Sequence, residues 1–416
     1  MNYPANRSFS AISINAERLW SRHMEMARIG AIDGTGSCRL AMTAEDAEAR
    51  ELLASWCRQA GLDVHVDLAG NMFAVRPGSD PRRSPVASGS HLDTQPHGGR
   101  FDGISGVLAA LEVIETLNDE GIETAAPLAV VNWTNEEGVR YAPGLLGSAW
   151  FAGLLDDEAL ARVKASDGTP FQQEARERGW LGDSADKFPL EAFLELHIEQ
   201  GPILEREGLQ VGIVTSVQGL RWLDVEVEGT DAHAGTTPLD QRQDALLASA
   251  RMLVALNELG RRYGSTARVS VGRLRTATDG PSTIVGHASF VVDIRHPDPD
   301  TLERLSQECA AVCAATGKAF GCEVAVSERI AVPPTTFHDT CVTALESAAE
   351  ERGYSYRRIA SGALHDAANV AKVAPTAMIF VPCRDGISHN VKEYASPEDL
   401  AAGTNVLLHA LLKLAQ

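Results

Sequence analysis

The stretch LAVVNWTNEEG, residues 128–138, starts as an almost continuous apolar run and ends in two adjacent carboxylates before a glycine. A strand that is apolar on both of its faces is typical of a sheet covered by helices on both sides. Further strand candidates are PVASGSHLD at 85–93, FLELHIEQ at 193–200 and TAMIFVPC at 376–383, with a hairpin at 62–77. Apolar residues at helical spacing separate these strands, as at 104–117. The alternation predicts an α/β domain built on a mixed sheet.

Two helices of this domain carry start signals. Thr43 is expected to cap a helix that runs through residue 60, with Asp46 as the reciprocal capping partner. Ser396 precedes a proline and two acidic residues, which is the pattern of a helix start. We therefore expect the last helix to begin at residue 397.

The middle of the chain has a different pattern. In order, it reads as strand (LDVEVEG), helix (239–260), strand (ARVSVGRL), strand (STIVGHASFVVDIR), helix (300–317) and strand (CEVAVSE). This β-α-β-β-α-β order predicts a small ferredoxin-like sheet with helices on one side. We therefore expect a catalytic domain at 1–215 plus 333–416, and an inserted lid and dimerisation domain at 216–332.

Composition excludes some function classes. The chain has 416 residues, which suits two domains. Its net charge of −19 argues against nucleic acid or an anionic membrane surface as partner. We find no apolar run of membrane-spanning length and no signal-like segment, so we expect a cytoplasmic protein. The seven scattered cysteines include no C-x-x-C pair and are expected to be ordinary thiols.

Five segments carry metal-competent side chains just after predicted strands. They are Ser90-His91-Leu92-Asp93, Arg100-Phe101-Asp102-Gly103, Asn135-Glu136-Glu137-Gly138, Leu196-His197-Ile198-Glu199-Gln200 and Ser388-His389-Asn390. In open α/β sheets, ligand sites assemble at the strand ends. Imidazole and carboxylate ligands without thiolate suit Zn²⁺ first, and also Mn²⁺, Co²⁺ or Ni²⁺. The sequence thus predicts a site for two divalent metal ions.

The segments GSHLDTQPHGGRFDG, NWTNEEGVRYAPGLLGS, LELHIEQGP, DAHAGTTP and DGISHN resemble the metallopeptidase M20 superfamily. The resemblance runs from about residue 40 to the C-terminus. It is closest to the amidase or carbamoylase branch, which holds N-carbamoyl-L-amino acid hydrolases, β-ureidopropionases and allantoate amidohydrolases. His197 distinguishes the amidase branch from the peptidases, because peptidases of the superfamily commonly have a carboxylate ligand at that position.

The resemblance implies a role for each metal-site residue. Asp102 would bridge the two metals, His91 and His197 would complete one of them, and Glu137 and His389 would complete the other.

The proton-transfer roles are implied in the same way. Glu136 would be the general base. Asp93 would hydrogen-bond His91 and fix its tautomer.

The resemblance also implies substrate contacts. His233 would stabilise the oxyanion in the active site of a partner subunit, which implies a homodimer through the inserted domain. Arg295 would clamp a substrate carboxylate through its fork of donors, and Gln200 would bond the ureido or amide end. His365 and Asp366 match a family loop near the substrate, where a structural role is at least as well supported as direct contact.

Two positions depart from the family pattern. Ser282 stands where the family usually has an asparagine that contacts substrate, and Leu364 replaces a glycine. The resulting hypothesis is hydrolysis of a small N-carbamoyl amino acid to the amino acid, ammonia and carbon dioxide. Alternatives are an allantoate- or ureidoglycolate-type amidohydrolase and an N-acyl amino acid hydrolase, and last an inactive dimer that only binds a metabolite.

Overall fold

The structure is a computed structural model that describes residues 11–185 and 187–416. The chain forms two compact units. The first unit ends at Thr215 and resumes at Phe337, and the second comprises Ser216–Thr336. None of the helices in the described part of the chain has the length and apolar character that crossing a membrane requires.

The strands and helices are numbered along the whole chain. The strands are β1 (Asp63–Val66), β2 (Met72–Arg76), β3 (Val86–His91), β4 (Leu128–Trp133), β5 (Ala192–Ile198), β6 (Val211–Val217), β7 (Gly219–Glu228), β8 (Ala232–His233), β9 (Arg268–Thr276), β10 (Thr283–Ile284), β11 (His287–His296), β12 (Glu323–Val332), β13 (Thr335–Thr336), β14 (Tyr356–Ser361) and β15 (Thr376–Val381). The helices are α1 (Ala16–Met26), α2 (Ala44–Gln59), α3 (Ile104–Asp119), α4 (Leu146–Phe151), α5 (Asp157–Arg162), α6 (Phe171–Glu177), α7 (Ile203–Glu207), α8 (Ala245–Arg262), α9 (Pro299–Ala319), α10 (Asp339–Arg352), α11 (Asp366–Val370) and α12 (Pro397–Ala415).

A mixed sheet forms the centre of the first unit. Its order is β1-β2-β4-β3-β5-β15-β6, with β14 also paired to β6. The inner pairs β4·β3, β3·β5 and β5·β15 are parallel, whereas β1·β2, β2·β4 and β15·β6 are antiparallel. Every residue of β3, β4, β5 and β15 is buried, as their apolar sequences predict. The α/β class with a mixed sheet is therefore confirmed.

The second unit contains a four-stranded antiparallel sheet in the order β12-β7-β11-β9. Helices α8 and α9 pack on this sheet, and their apolar faces share one core with it. The short strands β8 and β10 pair separately. Strand β12 extends to Val332 and β13 follows, pairing with the last residues of β6, so this unit ends at Thr336.

Two predicted elements in this unit differ from the structure. The helix predicted at 239–260 begins only at Ala245, because Asp244 caps it by accepting a hydrogen bond from the Leu247 amide. The strand predicted from Ser282 onward is interrupted, because the Gly286 amide donates to the Asp231 carboxylate instead of to a strand. These interruptions separate β10 from β11.

The helix starts predicted in the first unit are confirmed with one difference. The side chains of Thr43 and Ser396 accept hydrogen bonds from the amides three residues on. The Asp46 carboxylate, however, accepts from the Met42 amide and pairs with Arg50, so it does not close a reciprocal box with Thr43.

Candidate active site

The first unit brings all five predicted metal ligands together. The donor atoms of His91, Asp102 and His197 lie within 4.8 Å of one another, and so do those of Asp102, Glu137 and His389. Four of these residues follow the carboxyl ends of β3, β4, β5 and β15 or lie on them, where the parallel part of the sheet directs its loops. Asp102 belongs to both groups of three.

The two oxygens of Asp102 face different imidazoles. Oδ1 lies 3.1 Å from His197 Nε2 and 3.7 Å from His91 Nε2, whereas Oδ2 lies 3.3 Å from His389 Nε2. The same His389 nitrogen is 3.5 Å from Glu137 Oε2. A carboxylate that offers one oxygen to each ligand group has the arrangement of a bridging ligand.

Local backbone geometry brings Asp102 to this point. Gly103 caps helix α3 with a φ of +71°, a conformation that favours glycine. A Cβ at this position would lie 2.3 Å from His91 Cε1, so only glycine lets the two ligand segments approach so closely. Asn135 and His389 also have positive φ values, of 55° and 54°, at the turns that present Glu136 and His389.

The Asp93 side chain has a different partner from the one predicted. The His91 Nδ1 atom is hydrogen-bonded to the backbone carbonyl of Asp93 at 2.9 Å, and the nearest Asp93 carboxylate oxygen is 3.9 Å away. The carboxylate instead accepts the backbone amides of Glu136 and Glu137. The predicted hydrogen bond between the two side chains is therefore wrong, because the carboxylate points to the turn after β4.

Burial and mutual repulsion raise the pKa of two acidic residues of the cluster, and neighbouring imidazoles lower the pKa of a third. Burial, with the charges of neighbouring carboxylates, raises the pKa of Glu136 well above its ordinary value. Burial and the charge of Asp102 raise the pKa of Glu137 to about 8. Burial alone would also raise the pKa of Asp102, but hydrogen bonds from His197 and His389 outweigh it and hold that pKa well below its ordinary value.

The imidazoles respond to the same charges. Burial opposes protonation of His197, but the hydrogen bond and charge of Asp102 raise its pKa to about 9. The hydrogen bond with Asp102 also raises the pKa of His389 to about 9. Burial lowers the pKa of His91 to about 4. Protons thus balance the buried carboxylates, and divalent cations could replace those protons, so the donor set fits metal ions.

Gln200 lies beside the ligand cluster with its amide nitrogen 2.9 Å from Asp102 Oδ2. Its Oε1 is buried and has no hydrogen-bond partner among the described residues. An unpaired buried acceptor is costly unless a ligand completes it. The predicted hydrogen bond of Gln200 to the ureido or amide end of a substrate is compatible with this orientation.

A second set of buried polar groups lies behind His197. The His365 ring packs edge-on against the His197 ring, with centroids 4.5 Å apart. Glu195, whose donor atom lies within 4.8 Å of both histidines, accepts hydrogen bonds from Ser90 Oγ and the Ala367 amide. These hydrogen bonds use both oxygens of Glu195. We therefore infer that Glu195 and His365 hold the His197 ring in place and do not form a separate metal site.

Asp366 and Leu364 lie in the same segment as His365. The Asp366 carboxylate is buried and accepts a hydrogen bond from Ser148 Oγ. The Leu364 side chain is exposed.

His233, Ser282 and Arg295 belong to the second unit. β8 and β10 bring the first two together, since the Ala234 amide donates to the Ser282 carbonyl. Both of these side chains are exposed. Arg295 donates Nε to Asp293 Oδ1 at 3.0 Å and Nη2 to Asp293 Oδ2 at 3.1 Å, so its guanidinium is already in a two-pronged ion pair.

Several polar residues at the cluster are absent from the sequence-based candidates. Gln95 Nε2 donates to Glu137 Oε2 at 2.6 Å, Ser388 Oγ lies 2.8 Å from Asp102 Oδ2, and Glu393 accepts the Asp102 amide. Gln95 and Ser388 lie close in sequence to the predicted ligands His91 and His389, so their presence at the site could have been predicted. The contact of Glu393 spans 291 residues and has no local signal.

The chain is similar to known amidohydrolases over nearly its whole length. The chain is 45% identical over 408 residues to an N-carbamoyl-L-amino-acid amidohydrolase of Rhizobium meliloti, covering 97% of each protein. It is 34% identical to a ureidoglycolate hydrolase of Arabidopsis thaliana, covering 97% of this chain and 88% of that protein. A solved amidase of the hydantoinase/carbamoylase family from Burkholderia multivorans superposes with a TM-score of 0.94 at 46% identity, covering 97% of this chain and 99% of that one.

The family assignment rests on the length of the match as well as on the site. The model of peptidase family M20/M25/M40 matches residues 87–413, which include every predicted metal ligand. Enzymes of this family generally use divalent metals, in agreement with the ligand groups around Asp102. The chain therefore belongs to peptidase family M20/M25/M40.

Proposed function

We propose that this protein is a di-metal amidohydrolase that cleaves a small N-carbamoyl amino acid to the free amino acid, ammonia and carbon dioxide. The single observation that carries the proposal is Asp102, whose two oxygens face two separate sets of ligands. The 45% identity to the Rhizobium meliloti enzyme, whose name gives N-carbamoyl-L-amino acids as substrate, supports the substrate class. The lower identity to the ureidoglycolate hydrolase makes that activity the second candidate.

In this proposal, His91 and His197 would hold one cation, Glu137 and His389 would hold the other, and Asp102 would be a ligand shared by both sets. Zn²⁺ is our first choice, with Mn²⁺, Co²⁺ and Ni²⁺ as alternatives. Bound divalent cations would supply Lewis acidity for a water and for the carbamoyl oxygen.

The general base in this proposal is Glu136. Its Oε2 lies 3.6 Å from His91 Nε2, inside the cluster, and the residue is not a member of either ligand group. A carboxylate whose pKa is raised can accept the proton of the attacking water and deliver it to the leaving nitrogen. Overall, one water is added, the carbamoyl C–N bond to the amino acid breaks, and the carbamate formed separates into ammonia and carbon dioxide.

Gln200 favours a ureido substrate over an N-acyl one in this site. Its unpaired Oε1 would accept an N–H of the terminal carbamoyl NH₂, a donor that an N-acyl group lacks. Arg295 would bind the substrate carboxylate. Its ion pair with Asp293 would either be replaced by the substrate or persist beside it. Ser282 would contact substrate only weakly, because its short side chain offers a hydroxyl where the family has an amide.

We further propose a homodimer formed through the second unit, with His233 acting in the partner's active site. An exposed edge strand, β9, and exposed apolar residues of α8, Leu247 (49%) and Val254 (56%), support a contact with a second copy. The second unit would then act as both lid and dimerisation domain.

The first experiment measures ammonia release from a panel of N-carbamoyl, ureido and N-acyl compounds after reconstitution with each metal. We expect turnover of N-carbamoyl-L-amino acids and little or none of their N-acyl counterparts. Activity confined to N-acyl amino acids would overturn the proposed substrate class, and activity confined to ureidoglycolate or allantoate would favour the second candidate.

A matched pair of variants tests the two adjacent glutamates. Glu136→Gln should keep both metals and abolish turnover, whereas Glu137→Gln should lose metal. Metal content by atomic spectrometry and ammonia release separate the two outcomes. Turnover by the first variant would show that the base is assigned wrongly.

Mixing two inactive variants tests the dimer. If His233 acts across subunits, random exchange between equal amounts of His233→Ala and Glu136→Gln should recover roughly a quarter of native activity, since about half of the dimers are heterodimers and one of the two sites in each is complete. No recovery after demonstrated subunit exchange would contradict the cross-subunit role.

A further inference from the structure

A buried carboxylate that the proposed mechanism does not use lies beside Asp102. Glu393 is 1% exposed and follows β15 in the loop that carries His389. Its Oε1 accepts the backbone amides of Phe101 and Asp102, each at 3.0 Å. A buried carboxylate is unfavourable unless it is hydrogen-bonded. Glu393 therefore connects the His389 loop to the backbone of the bridging aspartate.

The other oxygen of Glu393 reaches the same aspartate through a hydroxyl. Ser388 Oγ lies 3.1 Å from Glu393 Oε2 and 2.8 Å from Asp102 Oδ2. Asp102 is thus held at its backbone amide and at one carboxylate oxygen by a single loop. With both points held, the aspartate can direct Oδ1 towards His197 and Oδ2 towards His389.

The segment before Asp102 leaves room for the Glu393 side chain at Gly99. A Cβ added at Gly99 would lie 2.1 Å from Glu393 Oε1 and 2.4 Å from Glu393 Cβ. Gly99 is three residues before Asp102, so the segment that receives the hydrogen bonds also has a residue small enough to admit the side chain that accepts them. Any larger residue at this position would displace the Glu393 carboxylate.

We infer that Glu393 is a positioning residue of the metal centre, which sets the orientation of Asp102 through the acceptor Oε1. The inference rests on the proposed function in one respect, the assignment of Asp102 as the bridging ligand. Glu393 does not touch metal or substrate in this assignment. Glu393 supplies a hydrogen-bond acceptor for the backbone amides of Phe101 and Asp102.

Two substitutions at this position separate an acceptor role from space filling. Glu393→Gln keeps an oxygen where Oε1 accepts the two amides, whereas Glu393→Leu fills similar space without an acceptor. We expect the leucine variant to bind Co²⁺ about 10–100-fold more weakly, the usual effect of losing a residue that supports a ligand, and the glutamine variant to bind like the native protein. The readout is the visible absorption of bound Co²⁺ in competition with a chelator.

Glu112 provides the matched control. It is also a fully buried carboxylate that accepts a backbone amide, that of Asn15, but it lies two turns along α3 and pairs with Arg18. Glu112→Leu should lower the melting temperature without changing Co²⁺ affinity. Native Co²⁺ affinity in Glu393→Leu would overturn the inference, and so would equal losses in the leucine and glutamine variants, since charge would then matter and acceptor geometry would not.

A second test does not depend on how well the leucine variant folds. Gly99→Ala should weaken Co²⁺ binding, because its methyl group would displace the Glu393 carboxylate. In a Glu393→Gly background, the same change should have no further effect, since every Glu393 atom that would clash, including Cβ, is gone. Additive losses in the double variant would overturn the inference.

Metal affinity is measured without substrate, so the two proposals can fail separately. Glu393-dependent Co²⁺ binding in a protein that hydrolyses no ureido compound would contradict the proposed function alone. Ureido hydrolysis with Co²⁺ binding independent of Glu393 would contradict this inference alone.

Discussion

Replacement of Asp93 by asparagine should displace the proposed general base while sparing the fold. Asp93 Oδ1 accepts the Glu136 amide at 3.1 Å, and Oδ2 accepts the Glu137 amide at 3.2 Å. Asparagine has a single acceptor oxygen, and its NH₂ group would face the other N–H donor. One of the two hydrogen bonds must therefore be lost, and the turn that carries both glutamates must shift.

The size of the effect follows from these contacts. A buried donor that loses its partner costs about 1–3 kcal/mol, and Asp93 is only 2% exposed, so water does not replace the lost acceptor. The melting temperature should fall by roughly 2 °C per kcal/mol in a chain of this size. A displacement near 1 Å at a reacting group lowers the rate by about 100-fold. We therefore expect kcat to fall by that factor with KM near its native value.

Asp67→Asn is the matched control. Asp67 is another buried aspartate that bonds two backbone amides, those of Ala69 and Asn71, but both bonds go to Oδ1 and asparagine can keep them. This variant loses only the contact between Asp67 Oδ2 and the Asn71 side chain. It should lower the melting temperature and leave kcat unchanged.

Steady-state kinetics, thermal unfolding and metal analysis complete the assay. A native kcat in Asp93→Asn would refute the reasoning, because the turn would then not depend on the carboxylate. Loss of one metal with the remaining activity proportional to occupancy would instead favour the role first predicted from the sequence, orientation of His91.

The pKa of His23, lowered to about 4 by burial, lies below the ordinary value of 6.5, so this one residue should cost the metal-free protein roughly 3 kcal/mol of stability as pH falls from 6.5 to 4. His23→Gln should flatten this dependence in urea denaturation, and an unchanged pH profile would contradict the assignment. Because the pKa values of His197 and His389 are raised to about 9 and that of Glu137 to about 8, metal binding at pH 7 should release protons, measurable by calorimetry in buffers of different ionisation enthalpy. Binding without proton release would count against these residues as ligands. Arg295→Lys should raise KM by roughly tenfold with a smaller change in kcat, since lysine lacks the fork that binds a carboxylate with two bonds; an unchanged KM would remove Arg295 from the substrate site.

Much of the fold was predictable because its signals are local. The central strands are apolar on both faces, and the structure buries both faces of each. The caps at Thr43 and Ser396 act within three residues. The helix predicted from residue 239 failed for a local reason too, since Pro238 and the Asp244 cap confine residues 239–241 to a single 3-10 turn.

The residues predicted as ligands do lie together in the structure, whereas the hydrogen-bond partners of the neighbouring residues were not predicted. His91, His197 and His389 lie on or after the strands β3, β5 and β15, whereas Asp102 lies just before α3. The resemblance to a known family singled these residues out among the metal-competent side chains. The direction of the Asp93 carboxylate depends on where the turn after β4 runs, 43 residues away in sequence. That distance explains why the prediction chose the nearby His91 instead.

By itself, the sequence predicted the α/β class and a cluster of metal-competent side chains, because residue type and short-range spacing encode them, and the resemblance to a known family assigned the ligand roles among those side chains. Only the tertiary structure decided how the ligands are held. Asp93 meets the turn of Glu136, and Glu393 meets the amide of Asp102 from 291 residues away, against a glycine that leaves it room. Such contacts depend on the paths of several loops at once, and no local pattern in any one loop specifies them.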